Sequence, residues 1–304
     1  MKKQLKKILN KLPYIKGLYQ KSEAYSQNAC YPPGHYYSPI VSVKEVKKRE
    51  HEIWKEDEKD LIRDVNLNTK DQVYFVNETL AQYYPEIPFS EKRERGLRYA
   101  FDNGMYEHTD GIILYSMIRH LKPKQIIEIG SGHSSALMLD VNELFFNNSI
   151  ALTFIEPNPE RLYATIKDAD KAVSTIIEKK VQEVAPSFFT KLEAGDILFI
   201  DSTHVSKCGS DVNYLFFEIL PVLKPGVFIH FHDIFYPFEY PKNWVFQGRN
   251  WNENYMLRSF LMNNAHYKIC VFSHYLHQHH KEAFKSMPLS YHNFGGNIWL
   301  EKLK

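Results

Sequence analysis

Short apolar runs alternate with helical stretches in the second half of the chain. The first run, QIIEI at residues 125–129, is followed by the helical stretch ALMLDVNEL. This alternation predicts a parallel α/β sheet with helices on both faces, because strands that are covered on both sides are apolar throughout. Six further strands are expected at residues 152–156, 176–184, 196–201, 227–233, 268–273 and 296–301.

The N-terminal segment, residues 1–21, is basic and amphipathic. Its apolar residues fall at helical spacing between lysines, and Pro13 is expected to end this helix. Such a helix fits either of two roles. It can dock its apolar stripe on the rest of the protein, or it can make a weak contact with an anionic membrane surface or a partner.

The remainder of the first hundred residues is expected to lie outside the sheet. Residues 31–40, YPPGHYYSPI, form a stiff aromatic loop marked by proline and glycine. Helical patterns follow at residues 43–60 and 70–85. We therefore expect a helical extension with a lid-like loop over residues 1–100, in front of an α/β domain over residues 101–304.

Composition argues against several classes of protein. The formal net charge is only +2, from 38 basic and 36 acidic residues, so no general attraction to nucleic acid is expected. The three cysteines lie far apart without a CxxC pair, which fits a reducing, cytoplasmic compartment. No apolar run reaches the about 18 residues of a transmembrane helix, and no signal peptide is recognisable. The oligomeric state stays open, with a homo-oligomer as one alternative.

The run QIIEI leads directly into a glycine-containing loop. Gly130 and Gly132, with Ser131 and Ser134 beside them, let the backbone turn sharply and approach a ligand closely. Glu128 lies inside the strand, where a buried carboxylate needs a partner. The cationic methionyl end of S-adenosylmethionine would be such a partner.

Two further residues are expected to hold the nucleoside of the cofactor. Glu156 ends the second strand, where an acid can accept hydrogen bonds from both ribose hydroxyls. Gln182 is expected to close the third strand, beside the adenine. This geometry also fits NAD, but a dinucleotide loop usually has a third glycine, which serine replaces here. A nicotinamide-dependent oxidoreductase therefore stays the first alternative, and a non-catalytic cofactor-binding module the second.

The ends of the next two strands carry acids and histidines. Asp201 ends one strand and is also expected to contact the cofactor, and His204 follows three residues later. His232 and Asp233 end the next strand, with His230 on the same face as His232. An ordinary histidine pKa of about 6.5 makes His204 the expected general base.

Asp201, His232 and Asp233 are the candidate metal ligands. They would either hold a divalent cation or only orient His204. A mixed set of histidine and carboxylates suits Mn²⁺, Fe²⁺ or Zn²⁺ better than Mg²⁺.

The candidate acceptor site is the segment after Asp233, IFYPFEYPKNWVFQGRNWNENY, which is rich in aromatic residues and also contains basic ones. Aromatic rings pack on sugars or other rings, and basic groups can bind a carboxylate or phosphate. A structural cover over the sheet edge is the alternative. The histidine-rich stretch 274–280 is expected to be a solvated surface segment and not a metal site. The candidate acceptor residues are His35, Tyr36, Tyr37, His230, Tyr236 and Arg249.

The motifs of residues 100–301 resemble those of the class I S-adenosylmethionine-dependent methyltransferases. The blocks IIEIGSGHSS, TFIEPNPERL, DSTHVSKCGSD, HFHDIFYPFEYP and GGNIWL carry this resemblance, and they look closest to the bacterial group called methyltransferase family 24. The resemblance implies a Rossmann-like sheet of seven strands with the last strand antiparallel. It also implies methyl transfer to an oxygen of a small polar acceptor, such as a sugar or a natural product.

A more distant resemblance concerns the metal-dependent macrolide-sugar O-methyltransferases. They have an aspartate, a histidine three residues on, and an acidic pair after the next strand. Asp201 and His204 match the first two positions. His232 and Asp233 stand where the acidic pair would be, so the chain departs from that metal-site pattern at one ligand.

Overall fold

The apolar runs form one sheet in the computed structural model, which describes residues 12–55 and 62–304. The strand order is β3-β2-β1-β4-β5-β7-β6. Neighbours among the first five strands are parallel, whereas β7 runs antiparallel to both β5 and β6. The predicted Rossmann-like sheet of seven strands with an antiparallel last strand is confirmed. The strands are β1 (Gln125–Ile129), β2 (Ala151–Ile155), β3 (Ser174–Ile177), β4 (Ile197–Ile200), β5 (Phe228–His232), β6 (Tyr267–Phe272) and β7 (Asn297–Lys302).

Helices surround the sheet and precede it in the chain. Among the described residues, none of these helices combines the length and the apolar character that crossing a membrane requires. The α-helices are α1 (Pro13–Asn28), α2 (Val43–Lys48), α3 (Glu50–Ile53), α4 (Thr69–Tyr74), α5 (His108–Leu121), α6 (His133–Phe146), α7 (Glu160–Thr165), α8 (Asp170–Val173), α9 (Asp211–Tyr214), α10 (Lys242–Phe246), α11 (Glu253–Leu261), α12 (Ser273–His279) and α13 (Pro288–His292). Turns of π-helix lie at Phe75–Leu80 and Leu215–Ile219, and turns of 3₁₀-helix at Ala81–Glu86, Val181–Glu183, Pro186–Lys191, Leu220–Val222 and Lys281–Phe284.

The core lies on both faces of the sheet. Ile126 and Ile127 are adjacent in β1 and therefore point to opposite faces, yet both are fully buried. Leu198 and Phe199 in β4 repeat this pattern. Strands that are covered on both sides have no polar alternation, which is why the sequence shows them as continuous apolar runs.

The third strand is shorter than the sequence predicts. It ends at Ile177, whereas Val181–Glu183 form a turn of 3₁₀-helix. The backbone N–H of Lys179 donates to the carbonyl of Ile177 at 2.9 Å, so the chain turns away from the sheet. The prediction that Gln182 closes this strand is therefore wrong, because β2 is the only partner of β3 within residues 12–55 and 62–304, and the charged continuation of β3 leaves the edge of the sheet.

Two helix predictions need correction or completion. Pro13 begins α1 and does not end a helix there; proline lacks only an N–H that the first turn of a helix does not use. The predicted helix before Pro13 lies mostly in residues 1–11, outside the described residues. Helix is confirmed within 43–60 for α2 and α3, and residues 70–85 are helical through α4 and two following turns.

The chain divides into two units, and the smaller one is made of separated segments. It comprises Met1–Glu56 and Pro241–Asn250. Within it, Trp54 meets Phe246 at 5.9 Å between ring centroids, and Lys242 Nζ lies 2.9 Å from Glu50 Oε2. These contacts join the segment 241–250 to the N-terminal helices of the same unit.

The larger unit comprises Asp57–Tyr240 and Trp251–Lys304. This division differs from the predicted boundary after residue 100. The reason is that Val76, Leu80 and Phe89 are buried in the same core as the sheet.

A buried ion-pair cluster also fixes residues before 100 to the sheet domain. Arg98 Nη1 donates to Asp140 Oδ1 at 2.7 Å, and its Nε donates to Asp170 Oδ2 at 2.7 Å. The three side chains are almost completely buried. A buried charge is tolerated only when it is paired and hydrogen-bonded, so Arg98 holds its segment firmly against α6 and α8.

Candidate functional site

A cavity of about 590 Å³ opens at the carboxyl ends of the parallel strands. The last residues of β1, β2 and β4 are paired in register. The loops that follow these strands therefore meet at one edge, where open α/β sheets bind ligands. Gly130, Glu156, Asp201, His204 and Asp233 all line this cavity.

The glycine loop passes very close to the chain that leaves β4. Gly130 has a φ of +83°, and a Cβ atom there would meet the carbonyl oxygen of Asp201 at 1.8 Å. Only glycine fits a position with both constraints. Gly132 follows, and its backbone N–H donates to Ser135 Oγ at 3.0 Å just before α6 begins. The loop is thus held in one conformation at the edge of the cavity.

Glu156 braces the glycine loop from the end of β2. One carboxylate oxygen accepts the backbone N–H of Ser131 at 3.1 Å, and the other accepts that of Asn158 at 2.8 Å. The side chain is partly exposed and lines the cavity. Its position at a strand end agrees with the sequence analysis, and its predicted contact with ribose hydroxyls stays a prediction.

Glu128 lies behind the loop. It is fully buried, and its carboxylate accepts hydrogen bonds from the hydroxyls of Ser134 and Ser135. Burial raises its pKa to about 8, although these hydrogen bonds act to lower it. Ser134 lines the cavity, whereas Glu128 is not among the described residues that do. The partners that a buried acid requires are therefore provided here by the two serines of the protein itself.

Gln182 reaches the cavity from a 3₁₀ turn. Its Nε2 donates to the carbonyl oxygen of Gly209 at 2.9 Å. This bond ties the segment after β3 to the loop after β4. Both residues line the same cavity, and the predicted contact of Gln182 with adenine stays a prediction.

His204 lies at the centre of a cluster of carboxylates. Its Nε2 is 3.4 Å from Asp201 Oδ1 and 3.6 Å from Asp233 Oδ2. Its Nδ1 is 2.9 Å from Glu253 Oε2. The ring also packs on Trp251, with 4.5 Å between ring centroids. The structure therefore brings together the predicted residues Asp201, His204 and Asp233.

The carboxylates change the acid–base properties of His204. Burial by itself lowers the pKa of the ring, but the hydrogen bonds to Asp201 and Glu253 and the charge of Asp233 outweigh it and raise the pKa to about 10. The ordinary pKa expected for this ring is therefore wrong, because Asp233 and Glu253 from separate segments join the nearby Asp201 around it. While those acids are charged, the ring carries a proton at neutral pH.

The two aspartates respond differently to the same environment. Burial acts to raise the pKa of Asp201, but His232 and His204 outweigh it and hold that pKa well below its usual range. Burial raises the pKa of Asp233, and the two histidines only partly oppose this. The site therefore contains carboxylates and imidazoles whose pKa values depend on one another's charge.

The donor atoms are close enough to hold a cation. One ligand atom from each of Asp201, His204 and Asp233 lies within 4.8 Å of the others. His232 faces the same carboxylates, with Nδ1 3.4 Å from Asp201 Oδ1 and 3.8 Å from Asp233 Oδ2. On its other side, Nε2 of His232 lies 3.6 Å from Asp110 Oδ2. The predicted ligands Asp201, His232 and Asp233 are therefore neighbours, but the three donors that meet within 4.8 Å are those of Asp201, His204 and Asp233.

Two predicted acceptor residues lie in the core. His230 is fully buried and stacks on Phe199, with 3.9 Å between ring centroids. Tyr236 is 3% exposed and packs on Tyr275 at 5.0 Å. Neither is among the described residues that line the cavity. Strand β5 and the segment after it direct these two rings into the packed interior, and their predicted contact with the acceptor stays a prediction.

Four other predicted acceptor residues belong to the smaller unit. In the loop at 31–40, His35 stacks on Tyr36 at 4.5 Å and lies 5.6 Å from Tyr37, between ring centroids. The guanidinium of Arg249 lies 4.2 Å from the centre of the Trp244 ring. The roles predicted for these residues in acceptor binding stay predictions.

The histidine-rich stretch is not a solvated surface segment. His277 is 4% exposed and stacks on Phe284. Its two ring nitrogens lie 2.8 Å from the carbonyl oxygens of Ser273 and Ser290. The prediction failed because composition alone cannot show that α12 packs against the core.

Sequence reasoning missed three residues of the site. Glu253 and Trp251 contact His204 but follow it by almost fifty positions, and an acid at the start of a helix is ordinary. Asp110 gave no clearer signal, since it lies in the first turn of α5, where an acid is equally ordinary. Its partners in the structure include His232 and Asn297.

Comparison with known proteins identifies the sheet domain. A family model described as a methyltransferase domain matches residues 127–234. An uncharacterized protein of Archaeoglobus fulgidus is 35% identical over 169 residues, which cover 54% of this chain and 74% of that protein. That relative is archaeal, whereas the motifs resemble a bacterial group.

Solved structures show weaker likeness. A Podospora anserina methyltransferase with bound S-adenosylhomocysteine is 15% identical, with a TM-score of 0.44 over 80% of this chain and 99% of that one. The O-methyltransferase TomG of Streptomyces achromogenes, in complex with S-adenosylmethionine, is 12% identical, with a TM-score of 0.39 over 86% and 96% of the chains. The fold assignment rests on the strand order and directions of the sheet itself. The chain belongs to the class I S-adenosylmethionine-dependent methyltransferases, in methyltransferase family 24.

Proposed function

We propose that this enzyme transfers the methyl group of S-adenosylmethionine to a hydroxyl of a small polar acceptor, such as a sugar or a natural product. The observation that carries the proposal is the position of Asp201, His204 and Asp233. They line the same cavity as the glycine loop and Glu156. A methyl donor on the loop would therefore lie beside groups that can take up a proton, which a hydroxyl acceptor requires and a more nucleophilic amine does not.

The glycine loop and the end of β2 are proposed to hold the cofactor. Gly130 and Gly132 allow close approach, the backbone of Ser131 is fixed by Glu156, and Gln182, which lines the same cavity, is proposed to contact the nucleoside. S-adenosylmethionine, when bound, supplies an activated methyl group for in-line displacement, with the acceptor oxygen about 3 Å from the methyl carbon. Glu128 is proposed to anchor the loop through its serine partners, and its predicted contact with the methionyl end of the cofactor stays a prediction.

Nε2 of His204 is proposed to receive the acceptor proton. The ring is fixed on its other side by Glu253, so this nitrogen faces Asp201 and Asp233. Acceptance of a proton requires that the charge of the two aspartates be compensated, because that charge, together with Glu253, keeps the ring protonated.

The donor set fits a divalent cation. Two carboxylates with imidazole nitrogens at these separations are ligands that Mn²⁺, Fe²⁺ and Zn²⁺ accept. In the proposed arrangement Asp201, His232 and Asp233 would hold the cation. His204 would not be a ligand, so its Nε2 would be free to take up the proton. A cation there would compensate the aspartate charges and lower the pKa of a nearby hydroxyl.

The test is an assay of S-adenosylhomocysteine formation with matched hydroxyl and amine acceptors, namely sugars, phenols and their amino analogues. We expect mass spectrometry to place the methyl group on oxygen, and calorimetry to show binding of S-adenosylhomocysteine but not of NAD. His204→Ala should lower kcat by about 10²- to 10⁴-fold, while His292→Ala, an exposed histidine, should not. Methylation of nitrogen or carbon, or full activity of His204→Ala, would contradict the proposal.

A further inference from the structure

Glu253 is a buried acid whose charge is directed at one group. It is the first residue of α11 and is 1% exposed. Its Oε2 lies 2.9 Å from Nδ1 of His204. Among the described residues, its other oxygen accepts no hydrogen bond. Because a buried carboxylate needs a partner, the His204 ring is what makes this acid tolerable here.

The backbone of the same segment holds His204 as well. The N–H groups of Asn252 and Glu253 donate to the carbonyl oxygen of His204 at 3.0 and 3.2 Å. His204 has a φ of +59°, a conformation that a residue with a side chain rarely adopts. The ring of Trp251 packs on the imidazole. Residues 251–253 therefore fix the main chain, the ring face and one ring nitrogen of His204.

We infer that Glu253 is the positioning residue of His204. Its carboxylate accepts the Nδ1 proton, which keeps that proton on Nδ1 and directs Nε2 toward Asp201, Asp233 and the cavity. A histidine without such a partner can rotate or change tautomer, and either change removes Nε2 from its place. Glu253 acts through His204, so the inference rests on the proposed role of that ring.

The hydrogen bond can be tested without any acceptor. In protein labelled with ¹⁵N-histidine, we expect a low-field, slowly exchanging Nδ1–H signal that His204→Ala removes, which assigns it. Glu253→Ala should also remove this signal. Glu160→Ala should retain it, because Glu160 is likewise the first residue of a helix but is exposed. Persistence of the assigned signal in Glu253→Ala, or its absence from the native protein, would overturn the inference.

Kinetics with the hydroxyl acceptor that yields product then tests the consequence. Glu253→Gln keeps the shape of the side chain but removes its charge, and we expect kcat to fall about 10- to 100-fold. The KM for the acceptor and the Kd of S-adenosylhomocysteine should change little, which a general loss of folding would not produce. In a His204→Ala background, Glu253→Gln should lower kcat no further.

The outcomes separate this inference from the proposed function. If His204→Ala is inactive while Glu253→Gln keeps the native kcat, Glu253 does not position the ring although His204 is the base. If the Nδ1–H signal behaves as expected but His204→Ala is fully active, the contact is real and the positioning role is refuted together with the base. A loss in the double variant beyond that of His204→Ala would show that Glu253 acts independently.

Discussion

The free energy of unfolding of Glu128→Gln, relative to that of the native protein, should increase as the pH rises. Burial raises the pKa of Glu128 to about 8, from an ordinary value of 4.5. The folded protein therefore binds a proton that the unfolded chain has lost, and its stability falls as the pH rises from 4.5 to 8. Glutamine resembles the protonated acid, can still pair with the hydroxyls of Ser134 and Ser135, and does not titrate.

The size of the effect follows from the shift. Each pH unit between the two pKa values removes about 1.4 kcal/mol from the native protein. Between pH 6 and pH 9, the stability of Glu128→Gln relative to the native protein should therefore increase by about 3 kcal/mol. Groups that both proteins share cancel in this comparison.

Urea unfolding at the two pH values, followed by tryptophan fluorescence, measures this difference. Ile197→Val is a suitable control, because it removes a buried methyl group and should cost about 1 kcal/mol at either pH. A stability difference for Glu128→Gln that is the same at pH 6 and pH 9 would refute the reasoning, since it would mean that Glu128 is charged throughout.

Two further substitutions test the loop and the ion-pair cluster. Gly130→Ala places a Cβ atom 1.8 Å from a carbonyl oxygen at a φ of +83°, so calorimetry should show at least an about tenfold loss of affinity for S-adenosylhomocysteine; native affinity would contradict the role of the loop. Arg98→Ala leaves two buried aspartates unpaired and should cost about 3–5 kcal/mol in urea unfolding. The exposed Arg95→Ala should cost little, and equal losses for the two arginines would refute the importance of burial.

The sequence was most informative where burial imposes a simple pattern. The strands β1, β2, β4 and β5 were predicted to within about a residue because both faces are covered and the runs are apolar throughout. The strand β3 was predicted too long, since an edge strand ends where its partner does. Loops at the carboxyl ends of parallel strands must share one edge, which is why the glycine loop and the acid–histidine cluster could be placed together.

The rest of the site depends on contacts between distant segments. Nothing near His204 in sequence shows that Glu253 will bond to its ring, so the contribution of Glu253 to the raised pKa of His204 could not be predicted. Tyr236 shows the opposite limit, because an aromatic residue in a loop has the same local pattern whether it contacts a ligand or the core. The buried position of Tyr236 is decided by Phe272 and Tyr275, which lie in other elements.

The discontinuous smaller unit affects how this enzyme can be cut and recombined. Residues 241–250 contact Val41, Glu50 and Trp54, among others, far earlier in the chain. Truncation before residue 57 would remove these partners and leave apolar and charged groups of that segment without them. A chimera with a homologue should therefore exchange both segments of the smaller unit together. A chimera that exchanges only one segment would pair it with a segment from a different protein, so their contacts would not match.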